Sequence, residues 1–156
     1  RRSACALGTR PHPSGRVRHS PAWPANILGL GRTDGRLLRR VARWVSPAEW
    51  IFEKIFGVRA CSHSMASGTG LYNFARRDWD GELLERCGLT PMQLNPLRDQ
   101  VASYFSAIGD GAASNLGSGA ARPGIVAINV GTSAAVRAIT SGDTPLPFGL
   151  FCFGGD

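Results

Sequence analysis

The chain has 156 residues, 43% of them apolar, and a formal net charge of +7 at pH 7. That is enough for one ordinary hydrophobic core, whereas no run approaches the roughly 18 apolar residues of a membrane-spanning helix. The four cysteines show neither C-x-x-C spacing nor a histidine at ligand spacing, which argues against a disulfide framework or a zinc site. We therefore expect a cytoplasmic protein with no membrane segment and no protein-held metal.

The positive charge is concentrated near the N-terminus. Residues 1–59 hold 12 basic and three acidic residues, a net charge of +9, and residues 60–156 hold six basic and eight acidic residues, a net charge of −2. A basic surface of this kind is one way to bind nucleic acid. The arginines of residues 36–43 also fit the solvated face of a helix, which is the interpretation we favour.

The first 60 residues predict a loop followed by three helices. Residues 1–22 combine prolines and glycines with arginines and are expected to be loop or disordered. A short helix is predicted over 25–30, and Asp34 is predicted to cap a second helix. The apolar stripe of that second helix is expected to contain Leu37, Leu38, Val41, Ala42 and Val45.

The clearest local pattern is Ser46-Pro47-Ala48-Glu49. It predicts a capping box, with Ser46 as N-cap, proline as the first helical residue and Glu49 at the third position. Gly57 is expected to end this helix. Four apolar residues follow at helical spacing, and the aromatic ones among them are expected to lie in the core: Trp50, Ile51, Ile55 and Phe56.

The middle of the chain predicts short elements. Residues 61–73 are small and hydroxylated and favour a turn, with a short strand near Tyr72. His63 lies among three serines, but no orienting acid is apparent, so we do not interpret it as catalytic. Three further elements are expected: a helix over 81–87 capped by Asp80 with Leu83, Leu84 and Cys87 inward, a helix over 92–97 begun by Thr90-Pro91, and a strand over 101–108.

Residues 109–133 contain the pattern that bears most directly on function. Gly109 and Gly111 flank Asp110 at the start of a small-residue helix, where unpaired N–H groups favour anions. Residues 125–130 predict a buried strand and residues 134–139 its return partner. The turn between them offers backbone N–H groups and two hydroxyls suited to phosphate: Gly131, Thr132 and Ser133. An acid and a phosphate turn together indicate phosphoryl transfer.

Six segments carry a family resemblance. They are W-P-A at 23–25, R-W-V-S-P-A-E-W at 43–50, S-M-A-S-G-T-G-L-Y-N at 64–73, D-W-D-G-E-L-L at 78–84, A-I-G-D-G-A-A-S-N-L-G-S-G at 107–119 and N-V-G-T-S-A-A-V-R at 129–137. In this order they resemble the FGGY family of carbohydrate kinases, in particular its gluconokinase-like and xylulokinase-like members.

The resemblance implies an α/β, actin-like (ribonuclease H-like) fold, incomplete here, with ATP and sugar bound between two domains. It makes residues 23–119 the later part of the sugar-binding domain and residues 120–156 the start of the nucleotide-binding domain. It implies Asp110 as general base on a gluconate-like or ketopentose-like substrate, with Gly109 and Gly111 beside the sugar. It also implies ATP and Mg²⁺ as cofactors, with Gly131, Thr132 and Ser133 at the nucleotide phosphates.

The sequence also departs from the family. The Asp-x-Gly-Thr/Ser phosphate loop with which the family begins is not in this chain, and Gly111 stands where many members have Asn or Gln. We therefore expect the chain alone to be inactive. A non-catalytic binding module of the same fold and a basic nucleic-acid-binding domain are the alternatives, and homodimerisation of the full-length protein is left open.

Overall fold

The computed structural model describes residues 23–101, 103–131 and 134–140. The predictions for residues 1–22 and for everything after residue 140 lie outside this range. Within the described ranges there are six α-helices: α1 (Trp23–Thr33), α2 (Gly35–Arg40), α3 (Pro47–Phe56), α4 (His63–Thr69), α5 (Gly81–Arg86) and α6 (Asp110–Gly117). Three antiparallel strand pairs accompany them: β1 (Tyr72–Asn73) with β2 (Asp78–Trp79), β3 (Gln100–Val101) with β4 (Tyr104–Phe105), and β5 (Val126–Val130) with β6 (Ala134–Ala138).

The predicted helix caps are confirmed. The Asp34 side chain accepts from the Leu37 backbone N–H, and Asp80 does the same at the start of α5. Ser46 and Glu49 form both hydrogen bonds of the capping box. These bonds satisfy N–H groups that have no partner inside the helix.

The main core lies between α1, α5 and the chain that follows α5. Its buried members are Ile27, Leu71, Leu83, Leu84, Cys87, Leu89 and Leu94, with Trp23, Leu38, Trp44 and Trp79 packed against them. A second, smaller cluster contains Cys61, Ala66 and Tyr72. The inward positions predicted for α5 are therefore confirmed. The thiols of Cys61 and Cys87 are free, and burial raises the pKa of both.

Two predictions for the first half of the chain are wrong. Helix α2 ends at Arg40, because Val41 is extended, so the expected stripe does not reach Val45. Helix α3 buries the face of Glu49 and Phe52 instead of the predicted apolar face. The Glu49 carboxylate accepts from the Ser46 N–H and the Asn95 side-chain amide, which fixes that face inward. Trp50, Ile51 and Ile55 are consequently 52%, 49% and 67% exposed.

The middle of the chain differs from its prediction as well. Residues 63–69 form helix α4, capped by Ser62, where a turn was expected. The helix predicted over 92–97 is only a 3₁₀ turn at Pro91–Gln93, since Asn95 precedes Pro96 and a residue before proline disfavours helical geometry. The strand predicted over 101–108 is replaced by the small β3–β4 hairpin.

The β5–β6 hairpin forms with the expected antiparallel pairing, Val126 opposite Ala138 and Val130 opposite Ala134. The predicted burial of β5 is wrong, because Ala127 is the one buried residue of that strand and Ile128 is 69% exposed. Helix α6 contacts the hairpin, where the Ser114 and Asn129 side chains hydrogen-bond. The strand pattern therefore predicts the hairpin correctly but not the environment of its apolar face.

None of the helices in the described ranges is long and apolar enough to span a membrane.

Truncating Leu84 tests the main core. Leu84 is 1% exposed, so Leu84→Ala removes packing and leaves a cavity, and we expect the free energy of unfolding to fall by about 2–5 kcal/mol. Leu37→Ala is the matched control, because Leu37 is 47% exposed and the change there should stay within about 0.5 kcal/mol. Urea unfolding measures both, and equal losses would contradict this assignment of the core.

Candidate active site

Asp110 is the first residue of helix α6, and Gly109 occupies the N-cap position. The Asp110 carboxylate is exposed, and its Oδ1 accepts from the Gly111 backbone N–H at 2.8 Å. A carboxylate in the first helical turn is stabilised by the helix dipole and by unpaired N–H groups. The structure thus gives the capping position to the glycine and leaves the acid at the mouth of the helix.

Asp110 lines a cleft of about 440 Å³. The cleft combines an aromatic ring, hydroxyl groups, two carboxylates and apolar surface, and its residues come from four separate parts of the chain. The lining is formed by Trp23, Ser46, Ala48, Glu49, Ser64, Met65, Gly68, Thr69, Ile108, Gly109 and Asp110. A concave site with a few polar groups among apolar ones is typical of small-molecule binding.

The segment before Asp110 is anchored to the start of helix α4. The Gly109 N–H donates to Ser64 Oγ at 3.0 Å. The Ser62 hydroxyl donates to the Ala107 carbonyl and also accepts from the Met65 N–H as the helix cap. Because both serines are buried, these bonds hold the approach to Asp110 against the helix.

His63 lies beside this anchor but away from the cleft lining. Its backbone N–H donates to Asp99 Oδ1 at 2.9 Å, and its Nδ1 is 2.8 Å from the Tyr72 hydroxyl. Its Nε2 is 4.0 Å from Asp99 Oδ2. Asp99 therefore accepts from the His63 backbone and not from its ring, and these contacts join α4 to the chain leading into β3.

The part of the cleft lining formed by Glu49 is held by a polar network. Asn95 donates to Glu49 at 2.9 Å and accepts from Arg43 at 3.2 Å. Arg43 also binds both carboxylate oxygens of Glu53, which Arg59 approaches at 2.9 Å. The hydrogen bonds from Arg43 and then Arg59 hold the pKa of Glu53 below its ordinary value. Glu49 is thus a buried carboxylate whose hydrogen bonds to Ser46 and Asn95 stabilise the cleft wall.

The structure brings part of the predicted site together. Gly109 and Asp110 line the cleft, and Gly111 is buried directly behind the carboxylate. Gly131 is exposed at the end of β5, whereas Thr132 and Ser133 lie outside the described residues. Sequence inspection missed Trp23, Glu49 and Ser64 as cleft residues, although all three belong to segments that carry the family resemblance.

Comparison with protein families decides the relationship. The pattern for the N-terminal domain of the FGGY family of carbohydrate kinases matches residues 30–136. The chain belongs to this family. The matched range includes α4, the cleft residues from Ser46 onward and helix α6.

Individual relatives agree with this assignment. The gluconokinase of Bacillus subtilis (strain 168) is 30% identical over 140 residues, which cover 78% of this chain and 27% of the relative. The xylulose kinase of Klebsiella pneumoniae is 27% identical over 134 residues, covering 74% and 28%. The chain therefore spans about a quarter of the length of these relatives.

Solved structures confirm the predicted fold class. The ligand-bound xylulose kinase from Lactobacillus acidophilus superposes with a TM-score of 0.82 and 25% identity, covering 92% of this chain and 33% of that one. The gluconate kinase from the same organism has a TM-score of 0.74 and 25% identity, covering 80% and 29%. The chain thus has part of the fold of these α/β sugar kinases.

The Glu53 network makes a pH-dependent contribution to stability. Since the folded-state pKa of Glu53 lies below its ordinary 4.5, ionised Glu53 stabilises the fold above about pH 4.5, and this is lost as the pH falls through the lowered folded value. Glu53→Gln should therefore lower the unfolding free energy at pH 7 but have less effect at pH 3. Denaturant titrations across this range measure the difference. Glu85→Gln, at an exposed acid on α5, is the control, and a pH-independent Glu53 effect would contradict the network.

Proposed function

We propose that this chain contributes the sugar site of an ATP-dependent carbohydrate kinase, with Asp110 as the general base. The observation that carries the proposal is the position of Asp110, which lies at a helix N-terminus on the lining of a cleft of mixed polar and apolar character. A gluconate-like or ketopentose-like substrate is proposed because relatives named gluconokinase and xylulose kinase match this chain.

The proposed chemistry begins with a proton transfer. A sugar hydroxyl is a weak nucleophile at neutral pH, so a carboxylate within hydrogen-bond reach accelerates attack by accepting its proton. As the hydroxyl oxygen bonds to the γ-phosphorus of ATP, its proton passes to Asp110, and the bond to the β,γ-bridging oxygen breaks to leave ADP. Of the described groups, the Gly111 N–H is the one found donating to this carboxylate, which leaves it lone pairs for the hydroxyl.

The rest of the cleft supports a polyol substrate. The Ser46 hydroxyl, which accepts from the Glu49 N–H, still has its proton to donate to a sugar oxygen. Trp23 and Ile108 offer apolar surface to the C–H groups of the sugar. This is the mixture of polar and apolar contacts that orients small ligands in their sites. Substrate binding at the glycines beside Asp110 is proposed on the same ground, since Gly109 brings its backbone to the cleft without a side chain.

The nucleotide side of the proposal involves Gly131, Thr132 and Ser133. Their glycine and two hydroxyls suit phosphate oxygens, and exposure of Gly131 at the end of β5 is compatible with ligand access. Mg²⁺ bound with ATP would neutralise phosphate charge during transfer. Mg²⁺ in such sites is held largely by substrate phosphates and water, so this proposal leaves the Asp110 carboxylate to the sugar hydroxyl.

Three further expectations stand as part of the proposal. The division between sugar-side residues 23–119 and nucleotide-side residues 120–156 follows from the family resemblance. A cytoplasmic location follows from the four scattered cysteines. The chain spans 27% of its gluconokinase relative, so turnover is proposed for the full-length protein that carries it, and the chain alone is expected to be inactive.

Replacing the proposed base tests the function. In the full-length protein, Asp110→Asn keeps the shape of the side chain but removes its basicity, so kcat with gluconate or xylulose should fall by about 10²–10⁴-fold. Nucleotide affinity, measured by calorimetry, should stay nearly unchanged. Asp78→Asn is the matched control, because Asp78 is exposed in β2 and is not part of the cleft lining. Undiminished turnover in the Asp110 variant would exclude the assigned role.

A further inference from the structure

Four consecutive residues before and at the start of α4 contact one distant segment. Cys61 pairs with Leu97 as a parallel bridge. His63 donates its backbone N–H to the Asp99 carboxylate, and Ser62 and Ser64 bind Ala107 and Gly109 as described above. The Cys61–Ser64 segment therefore contacts the chain on both sides of the β3–β4 hairpin, at residues 97–99 before it and at residues 107–109 after it.

The last of these contacts has the most direct connection to Asp110. Ser64 is 6% exposed, and its Oγ accepts a hydrogen bond from the backbone N–H of Gly109, the residue directly before Asp110. The Gly109 carbonyl in turn accepts from Ala113 N–H at 3.0 Å in the first turn of α6. The hydroxyl of Ser64 thus holds the Ile108–Gly109 peptide, immediately before the N-cap residue of α6 and Asp110.

We propose that Ser64 is a positioning residue for the general base, with Ser62 supporting it at Ala107. This inference rests on the proposed function, because it assigns to the serine-rich start of α4 the task of holding Asp110 at the depth and angle that proton transfer requires. A general base acts only within hydrogen-bond reach of its proton, and an error of about 1 Å in such a group costs on the order of 100-fold in rate.

Ser62 has a second task that explains its burial. Ser62 is the N-cap of α4, since its hydroxyl accepts from the Met65 N–H at 3.0 Å while donating to Ala107. A hydroxyl is both donor and acceptor, so one side chain can cap the helix and hold the neighbouring segment at once. Ser64 contacts the same neighbouring segment, where its Oγ accepts from the Gly109 N–H. The spacing of the two serines, on either side of His63, matches the spacing of Ala107 and Gly109.

The test compares Ser64→Ala with Ser67→Ala in the full-length protein. Ser67 is a buried serine of the same helix whose hydroxyl donates within α4, to the Ser64 carbonyl, and it is not part of the cleft lining. We expect Ser64→Ala to lower kcat by about 10–100-fold and to leave KM for ATP within about two-fold. Ser67→Ala should retain the parental kcat. Ser64→Thr keeps the hydroxyl and should restore most of the lost kcat.

A second measurement does not depend on activity. Hydrogen exchange of the peptide covering residues 106–111 should speed up in Ser64→Ala and not in Ser67→Ala, because the Gly109 N–H loses its acceptor. If Ser64→Ala does not fold, Ser64→Cys fills the site with a slightly larger side chain that is a weaker acceptor, and it should show the same kcat loss and faster exchange.

The outcomes separate the inference from the function on which it rests. Parental kcat in Ser64→Ala, with Asp110→Asn inactive, would overturn the positioning role alone. An equal loss of kcat in the Ser64→Ala and Ser67→Ala variants would also overturn it, since helix integrity would then be the cause. Full turnover in Asp110→Asn would remove the base assignment and this inference together.

Discussion

The arrangement of the cleft depends on the hydrogen bond between the Gly109 N–H and Ser64 Oγ. These residues are 45 positions apart, yet the bond joins the two elements that carry most of the cleft, α4 and the start of α6. A buried N–H left without an acceptor costs about 1–3 kcal/mol. Conformations in which this hydrogen bond is broken are therefore expected to be disfavoured. The position of Asp110 follows from it, because Asp110 is the next residue along the chain.

The cleft shows a division between structural and reactive carboxylates. Glu49 is buried and accepts from the Ser46 N–H and the Asn95 amide, which gives it a structural task in the capping box and the cleft wall. Asp110 is exposed and accepts from its neighbour Gly111. Two acids in one cleft can serve different purposes when their surroundings differ in this way. The less engaged acid is the one suited to exchange a proton with a ligand.

The sequence predicts most successfully those features that are encoded within a few residues. The caps at Asp34, Ser46 and Asp80 need only a side chain and an N–H three positions later, so they were predicted correctly. Helix α4 was missed because its serines are poor helix formers, and its contacts to residues 97–109 are invisible in local sequence. The buried face of α3 was missed for the same reason, since Asn95 draws Glu49 inward from 46 residues away.

The residues of the candidate site also differ in whether local sequence is enough to predict them. Asp110 and Gly109 could be predicted because a glycine-flanked acid at a helix start has a recognisable local pattern. Trp23, Glu49 and Ser64 could not, because they reach the cleft only when α1, α3 and α4 pack together. For strand β5 the error is a false prediction of burial. Its apolar residues predict a buried strand, but most of them are exposed in the described part of the chain.

Ligand titration followed by NMR tests the central claim, that the cleft beside Asp110 is the sugar site. Full-length protein labelled with ¹⁵N-glycine would be titrated with gluconate and with xylulose. The account predicts that the amide signals of Gly109 and Gly111 shift in a saturable way with at least one sugar. The signal of Gly88, at the end of α5 and outside the cleft lining, should not move. Saturable binding that leaves the Gly109 and Gly111 signals unchanged would contradict the account.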